Sequence, residues 1–186
     1  MRIVLCVFAL PFCASLVVAP AGAQGLRGDV HVGLDSLHDD GDSNQGITYG
    51  LTFGYDLAAG RGLIGLQLDL DASDNKGCET DVVVAGDRAC ADARRDWAAS
   101  LRAGVAAGGG ALLYGTLGYA NARFEARYRG AGVSASESEA LDGVRLGAGI
   151  AADLTRRFYG KLEYRYTNYE QGVSRHQGLA GVGLRF

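Results

Sequence analysis

The chain has 186 residues, with 18 lysines and arginines against 21 aspartates and glutamates and a formal charge of −3. That length suits one domain or one closed sheet, and the charge excludes a broadly basic nucleic-acid-binding surface. Glycine supplies 29 residues and proline 2. This is more than double the usual ~7% for glycine, without the every-third-residue period of collagen, and it describes strands joined by tight turns.

Residues 1–23 read as a secretory signal peptide. Arg2 supplies the positive start, Ile3 to Val18 an apolar stretch interrupted by Pro11, and Ala21-Gly22-Ala23 an A-x-A cleavage site. The apolar run is shorter than the ~20 residues a spanning helix needs. The mature domain is therefore expected over residues 24–186. Cleavage removes Cys6 and Cys13 and leaves Cys78 and Cys90. In an oxidising export compartment this remaining pair predicts one disulfide, whereas two cysteines without neighbouring histidines make a poor zinc site.

After Gln24 the dominant signal is alternation with period two. From Gly46 to Tyr55, the residues Ile47, Tyr49, Leu51, Phe53 and Tyr55 share one face, with mostly glycine and threonine on the other. The pattern recurs in eight segments: 26–35, 46–55, 63–72, 96–106, 112–125, 141–154, 158–169 and 176–186. In the fourth, Trp97, Leu101 and Val105 also fit helical spacing. Ala99 and Ala103 share their parity, which favours a strand. Short connections at 56–62, 107–111 and 155–157 alternate with mostly longer, more polar ones at 36–45, 73–95, 126–140 and 170–175. The prediction is an all-β, eight-stranded antiparallel up-and-down barrel.

Parity alone does not say which face looks outward, since a soluble secreted ligand-binding barrel keeps its apolar face inside. Volume decides. An eight-stranded interior is just wide enough for side chains to fill, so it suits the small, glycine-rich face and not the bulky one. A soluble surface would also carry more lysine and glutamate. The apolar face is therefore expected to meet lipid, making the barrel transmembrane. The charges Asp69, Arg102, Arg145, Lys161, Glu163 and Arg165, with Arg27 and Asp29 on the same face, are expected to project into the lumen, where burial demands pairing. With both termini periplasmic, Tyr55, Phe158 and Phe186 fall at one rim and Tyr49, Trp97, Phe124, Tyr166 and Tyr169 near the other, as two aromatic girdles.

The run Gly143-Val-Arg-Leu-Gly-Ala-Gly-Ile-Ala-Ala-Asp-Leu-Thr155, the segment Leu162-Glu-Tyr-Arg-Tyr-Thr-Asn-Tyr169 and the ending Gly181-Val-Gly-Leu-Arg-Phe186 resemble the porin-like outer-membrane β-barrel family. That family groups with the OmpA, OmpX and opacity-protein barrels of Gram-negative bacteria. The resemblance implies residence in the outer membrane among its lipid and lipopolysaccharide. It also implies that the last strand, ending in Phe186, is the assembly signal read by the barrel insertion machinery. It does not imply one function, because such barrels serve as surface antigens, adhesins and envelope-stabilising proteins.

Other motifs carry less. Gly147-Ala-Gly-Ile-Ala-Ala152 matches a dinucleotide-binding pattern, but no helix-forming pattern follows it. Ser36-Leu-His38 and Ser174-Arg-His176 could supply a nucleophile and a base, yet lipid A deacylase barrels carry His-x-Ser on a strand, and these pairs run Ser-x-His in loops. Asp40, Asp42 and Asn44 stand at the spacing of a calcium loop, but Gln45 and Leu51 replace its glycine and glutamate. The expectation is a monomeric, non-enzymatic barrel without metal or cofactor, whose surface loops meet a host or surface ligand or support the envelope. The alternative is a lipid A-modifying barrel enzyme.

Overall fold

The computed structural model describes residues 25–39, 42–60, 62–74, 76–80, 88–130 and 133–186. The expected signal peptide, 1–23, lies outside them. Nine strands follow in chain order: β1 (Gly25–Asp39), β2 (Asp42–Ala59), β3 (Gly62–Ser73), β4 (Lys76–Thr80), β5 (Arg88–Gly108), β6 (Ala111–Gly130), β7 (Val133–Asp153), β8 (Phe158–Tyr169) and β9 (Ser174–Arg185). One 3-10 turn, Glu170–Gly172, joins the last two.

Every neighbour pairs antiparallel. β1 pairs with β9 from Arg27↔Arg185 to His38↔Ser174, which closes the sheet on itself. β3 and β4 occupy a single position in the wall, because both pair with β5, through Ala72↔Arg95 on one side of a short break and Lys76↔Asp92 on the other. The wall therefore has eight strands, and the β1–β9 and β3–β5 pairings leave no free edge over the span they cover. At one end the strands meet in tight turns, such as Gly108-Gly109-Gly110, all three at φ between 60° and 87°, a region open to glycine at little cost. This is the turn end, where Phe186 N–H also donates to the Leu26 carbonyl at 2.9 Å. The other is the loop end.

At the loop end the strands run further than the alternation predicts. β1 reaches Asp39, β2 resumes at Asp42, and β6 and β7 continue as a ladder to Gly130↔Val133 through the segment expected as a loop. Segment 73–95 likewise holds β4 and the start of β5. The physical reason is simple. Apolar alternation reports only where one face meets a greasy medium, whereas an antiparallel hydrogen-bond ladder propagates through polar sequence until a turn stops it.

The wall is inverted relative to a soluble protein. Outward side chains are apolar and exposed, among them Leu34, Leu66, Leu101 and Leu162, while those buried inside are mostly polar or charged. The segment 96–106 is strand, with Asp96, Ala98, Ser100 and Arg102 inward and Trp97, Leu101 and Val105 outward. Tyr55, Phe158 and Phe186 are exposed at the turn end, and Tyr49 and Trp97 toward the loop end. Tyr169 departs from the expected girdle. Its parity is that of Glu163 and Arg165, so it is buried and its hydroxyl donates to Asp96 Oδ2 at 3.1 Å. The Phe124 side chain lies outside what is described.

Candidate functional site

The barrel interior is a layered plug. At the turn end Leu63, Leu112, Tyr114, Ala151 and Tyr159 form an apolar cluster, and toward the loop end Ala98, Ala120, Ala122, Leu141 and Tyr169 form another. Between and around them lies a continuous ionic network. Arg165, wholly buried on β8, is its hub. Its Nε donates to Glu163 Oε1 at 2.5 Å, one terminal nitrogen to Asp69 Oδ1 at 2.9 Å and the other to Asp71 Oδ2 at 3.1 Å. Lys161 lies 2.5 Å from Asp29 Oδ1 and 3.5 Å from Glu163 Oε2.

Arg102 donates to Asp56 at 2.5 Å and stacks over the Tyr114 ring at 4.0 Å, and Arg27 shares the same carboxylate oxygen at 3.1 Å. Arg145 bridges Asp71 and Asp96. Arg175 grips Asp35 with two bonds, at 2.8 and 2.6 Å, and reaches Asp96 at 3.0 Å. His31 sits between Asp71, at 2.6 Å, and Asp29, at 3.5 Å. Tyr114 and Tyr159 donate their hydroxyls to Glu163 and Asp29, each at 2.8 Å.

The six lumen charges named from sequence thus occupy one interior, but Asp69 is the partner of Arg165 alone among them. Arg102 is held by Asp56, Arg145 by Asp71 and Asp96, and Lys161 by Asp29 and Glu163, while Arg27 and Arg175 add two further guanidinium groups, the second paired with Asp35. Asp35, Asp71 and Asp96 share strand parity with residues already read as inward, so alternation could have found them. Asp56 and Arg175 fell in segments read as connections. Inward glycines make the room. A Cβ at Gly54 would lie 2.6 Å from the Arg27 guanidinium, and one at Gly149 would lie 2.7 Å from the Tyr114 ring. The glycines of the dinucleotide-like motif are therefore inward strand residues of β7.

Two further sets lie on the wall. The two Ser-x-His segments, expected in loops, lie instead in β1 and β9 on the outer face near the loop end, where the ladder runs past the apolar alternation, and they are cross-strand neighbours: Ser36 stands opposite His176 and His38 opposite Ser174. The two imidazoles meet edge to face at 5.3 Å, and Tyr164 Oη lies 2.6 Å from His176 Nδ1. Among the described residues no hydrogen bond joins either serine to either histidine. At the loop end β4 pairs with β5 so that Cys78 stands opposite Cys90. Of the acidic run, Asp39 pairs with Asp42 in backbone register, and Asp40 lies outside the described residues. No group of three or more potential metal-ligating side chains occurs among the described residues.

Comparison with known proteins adds the family. No curated protein matches the sequence. Among solved structures, Ail, the attachment invasion locus protein of Yersinia pestis, aligns over 88% of this chain and 99% of its own, at 17% identity and a TM-score of 0.58. Neisserial surface protein A aligns over 88% and 98%, at 15% identity and a TM-score of 0.58. One Ail structure, at 15% identity and a TM-score of 0.56 over 88% of this chain and 100% of that one, holds the heparin analogue sucrose octasulfate. At these identities the likeness establishes the fold. The chain itself belongs to the outer membrane protein beta-barrel domain family, whose model matches residues 6–186, and it crosses the outer membrane of a Gram-negative bacterium with strands.

Proposed function

We propose that the protein is a non-enzymatic surface barrel that holds a stiff sheet of hairpins outside the cell for contact with a partner, with both termini periplasmic. One observation carries this reading. The β5–β6 and β6–β7 ladders continue past Arg123 to Arg88↔Arg129 and Gly130↔Val133, about 20 Å of paired strand beyond the apolar wall at ~3.4 Å per residue. A filled interior needs no such platform, and a partner-binding surface does. Arg88 stands opposite Arg129 and Cys90 opposite Arg127 in the backbone register of that ladder, which gathers three arginines of the sequence at this end, so a sulfated glycan such as the one bound by Ail is the first ligand to try.

An epitope inserted between Gly130 and Val133 should be labelled on intact cells, and one inserted at Gly109 only after permeabilisation. Cells carrying the chain should retain sucrose octasulfate-competable heparin binding that is lost when the β6–β7 ladder beyond Arg123 is shortened to a turn. Equal binding by the shortened barrel would remove the platform reading. Phe186, exposed at the end of the closing strand, is proposed as the residue read by the insertion machinery. Phe186→Ala should reduce the heat-modifiable form in cells while the purified chain still folds in detergent.

The second reading, a lipid A-modifying enzyme, is favoured only by the Ser36–His176 and His38–Ser174 pairs on the lipid-facing side. The absence of any serine–histidine hydrogen bond among the described residues weighs against it. An unchanged lipid A mass after incubation with purified protein is the expected result.

A further inference from the structure

The outward side chains of β3, β5, β6 and β7 form rows across the wall, and their chemistry changes step by step toward the loop end. Leu66, Leu101, Leu117 and Leu146 form one row, followed by Leu68, Ala99, Tyr119 and Val144, and then by Leu70, Trp97, Asn121 and Asp142. The next row is Ala72, Arg95, Arg123 and Ala140. Two arginines therefore stand directly opposite one another immediately above the aromatic level, flanked on both sides by alanine. Like charges at opposed positions destabilise a sheet.

Among the described residues nothing relieves this. Arg95 and Arg123 are exposed and make no ion pair or hydrogen bond to any described residue. The adjacent outward carboxylate, Asp142, is occupied by Tyr119 Oη at 2.5 Å and Asn121 Nδ2 at 2.6 Å. A cleft of about 400 Å³ opens here, lined by Leu70, Arg95, Trp97, Asn121, Arg123 and Ala140. Asp71 and Asp96 also border it, but both are buried and bound by interior arginines.

We infer that Arg95 and Arg123 form a site for the phosphate groups of an outer-leaflet glycolipid, the lipid A portion of lipopolysaccharide. Paired guanidinium groups match phosphate geometry with several parallel donors. Trp97 and the leucine rows beneath supply an apolar track for acyl chains, which a soluble anion would leave unused. The aromatic row places the arginines at headgroup height, where Trp and Tyr mark the membrane boundary. The site rests on the orientation proposed above for its natural ligand and is independent of what the hairpins bind.

Trp97 is the only tryptophan in the chain, so its fluorescence reports binding directly. Protein purified in detergent is titrated with bisphosphorylated, monophosphorylated and dephosphorylated lipid A, with inorganic phosphate and with sucrose octasulfate. Affinity should fall in that order across the three lipids, and millimolar phosphate should not displace the first. Arg95→Gln/Arg123→Gln should weaken the bisphosphorylated lipid by about tenfold or more, the scale of losing charge-assisted hydrogen bonds, while keeping heat-modifiable mobility. The Lys double variant should fall between. Equal affinity in the Gln variant overturns the site, as does a wild-type protein indifferent to lipid phosphorylation, a comparison that needs no variant to fold. Displacement of lipid by equimolar sucrose octasulfate would reassign the arginines to a soluble sulfated ligand. Because the titration uses purified protein, it can succeed or fail whichever way the barrel faces.

Discussion

At the scale of single residues, the interior is governed by the cost of leaving a charge without its partner. Glu163 accepts from Arg165 and Tyr114 and lies near Lys161, so Glu163→Ala leaves two cations under-compensated and should cost about 3 kcal/mol or more in urea unfolding from detergent or liposomes. A loss within experimental error would mean that water screens the network. Gly54→Ala tests the space rather than the charge. Its methyl group would meet the Arg27 guanidinium at 2.6 Å, and since that group is held by Asp56 and Gln67 the expected cost is about 1 to 3 kcal/mol. The same substitution at Gly178, where an added Cβ meets nothing within 4 Å, should be nearly neutral. That inward positions carry glycine and charge was readable from parity. The pairing was not, because Arg102 and Asp56 meet across 46 residues, and Arg175 and Asp35 across 140. Such contacts depend on where each strand sits in the closed wall, which local pattern does not encode.

At the scale of strands, the number and order were legible because each lipid-facing stretch alternates, and the turn end was legible because its connections are short, two of the three carrying glycine. The loop end was not. There the outward residues meet water, so polar side chains can occupy both faces and the period disappears while the ladder continues. The hairpin of β4 and β5 shows what remains readable. Two cysteines survive removal of the signal, and the register sets Cys78 opposite Cys90. Opposed residues in antiparallel strands have Cα atoms about 4.5 to 5.5 Å apart, within the span a disulfide bridges. The proposed bond closes a short loop and contributes about 3 kcal/mol in the chain-entropy account. Since the wall is already closed by β1 and β9, its effect should be confined to the hairpin. Peptide mass spectrometry of unreduced protein should find the two cysteines linked, and Cys78→Ser/Cys90→Ser should speed proteolysis near residues 81–87 while leaving the heat-modifiable barrel intact. Two free thiols in native protein would end the proposal.

At the scale of the whole molecule, the question is whether a closed barrel with so charged an interior conducts. Polar lining by itself suggests a channel, as in large porins. Two features argue the other way. Eight strands leave an interior that side chains can fill, and the charges are bound to one another: seven carboxylates (Asp29, Asp35, Asp56, Asp69, Asp71, Asp96 and Glu163) face six basic side chains (Arg27, Arg102, Arg145, Lys161, Arg165 and Arg175) and His31. An ion crossing this space would have to displace partners held at hydrogen-bond distance, from strands on every side of the wall. It would also have to pass the cluster of Leu63, Leu112, Tyr114, Ala151 and Tyr159 at the turn end, where Tyr159 is pinned by its bond to Asp29 and by the Arg185 guanidinium over its ring at 4.6 Å. Purified protein in planar bilayers should therefore show no steady large-conductance state. Tyr114→Ala/Tyr159→Ala removes both rings from the turn-end layer and should introduce brief small current steps, with Arg165 and its three carboxylates still blocking the centre. Steady large steps from the unmodified protein would show that the ionic network rearranges in the membrane, and the plug would then have to be read as a gate.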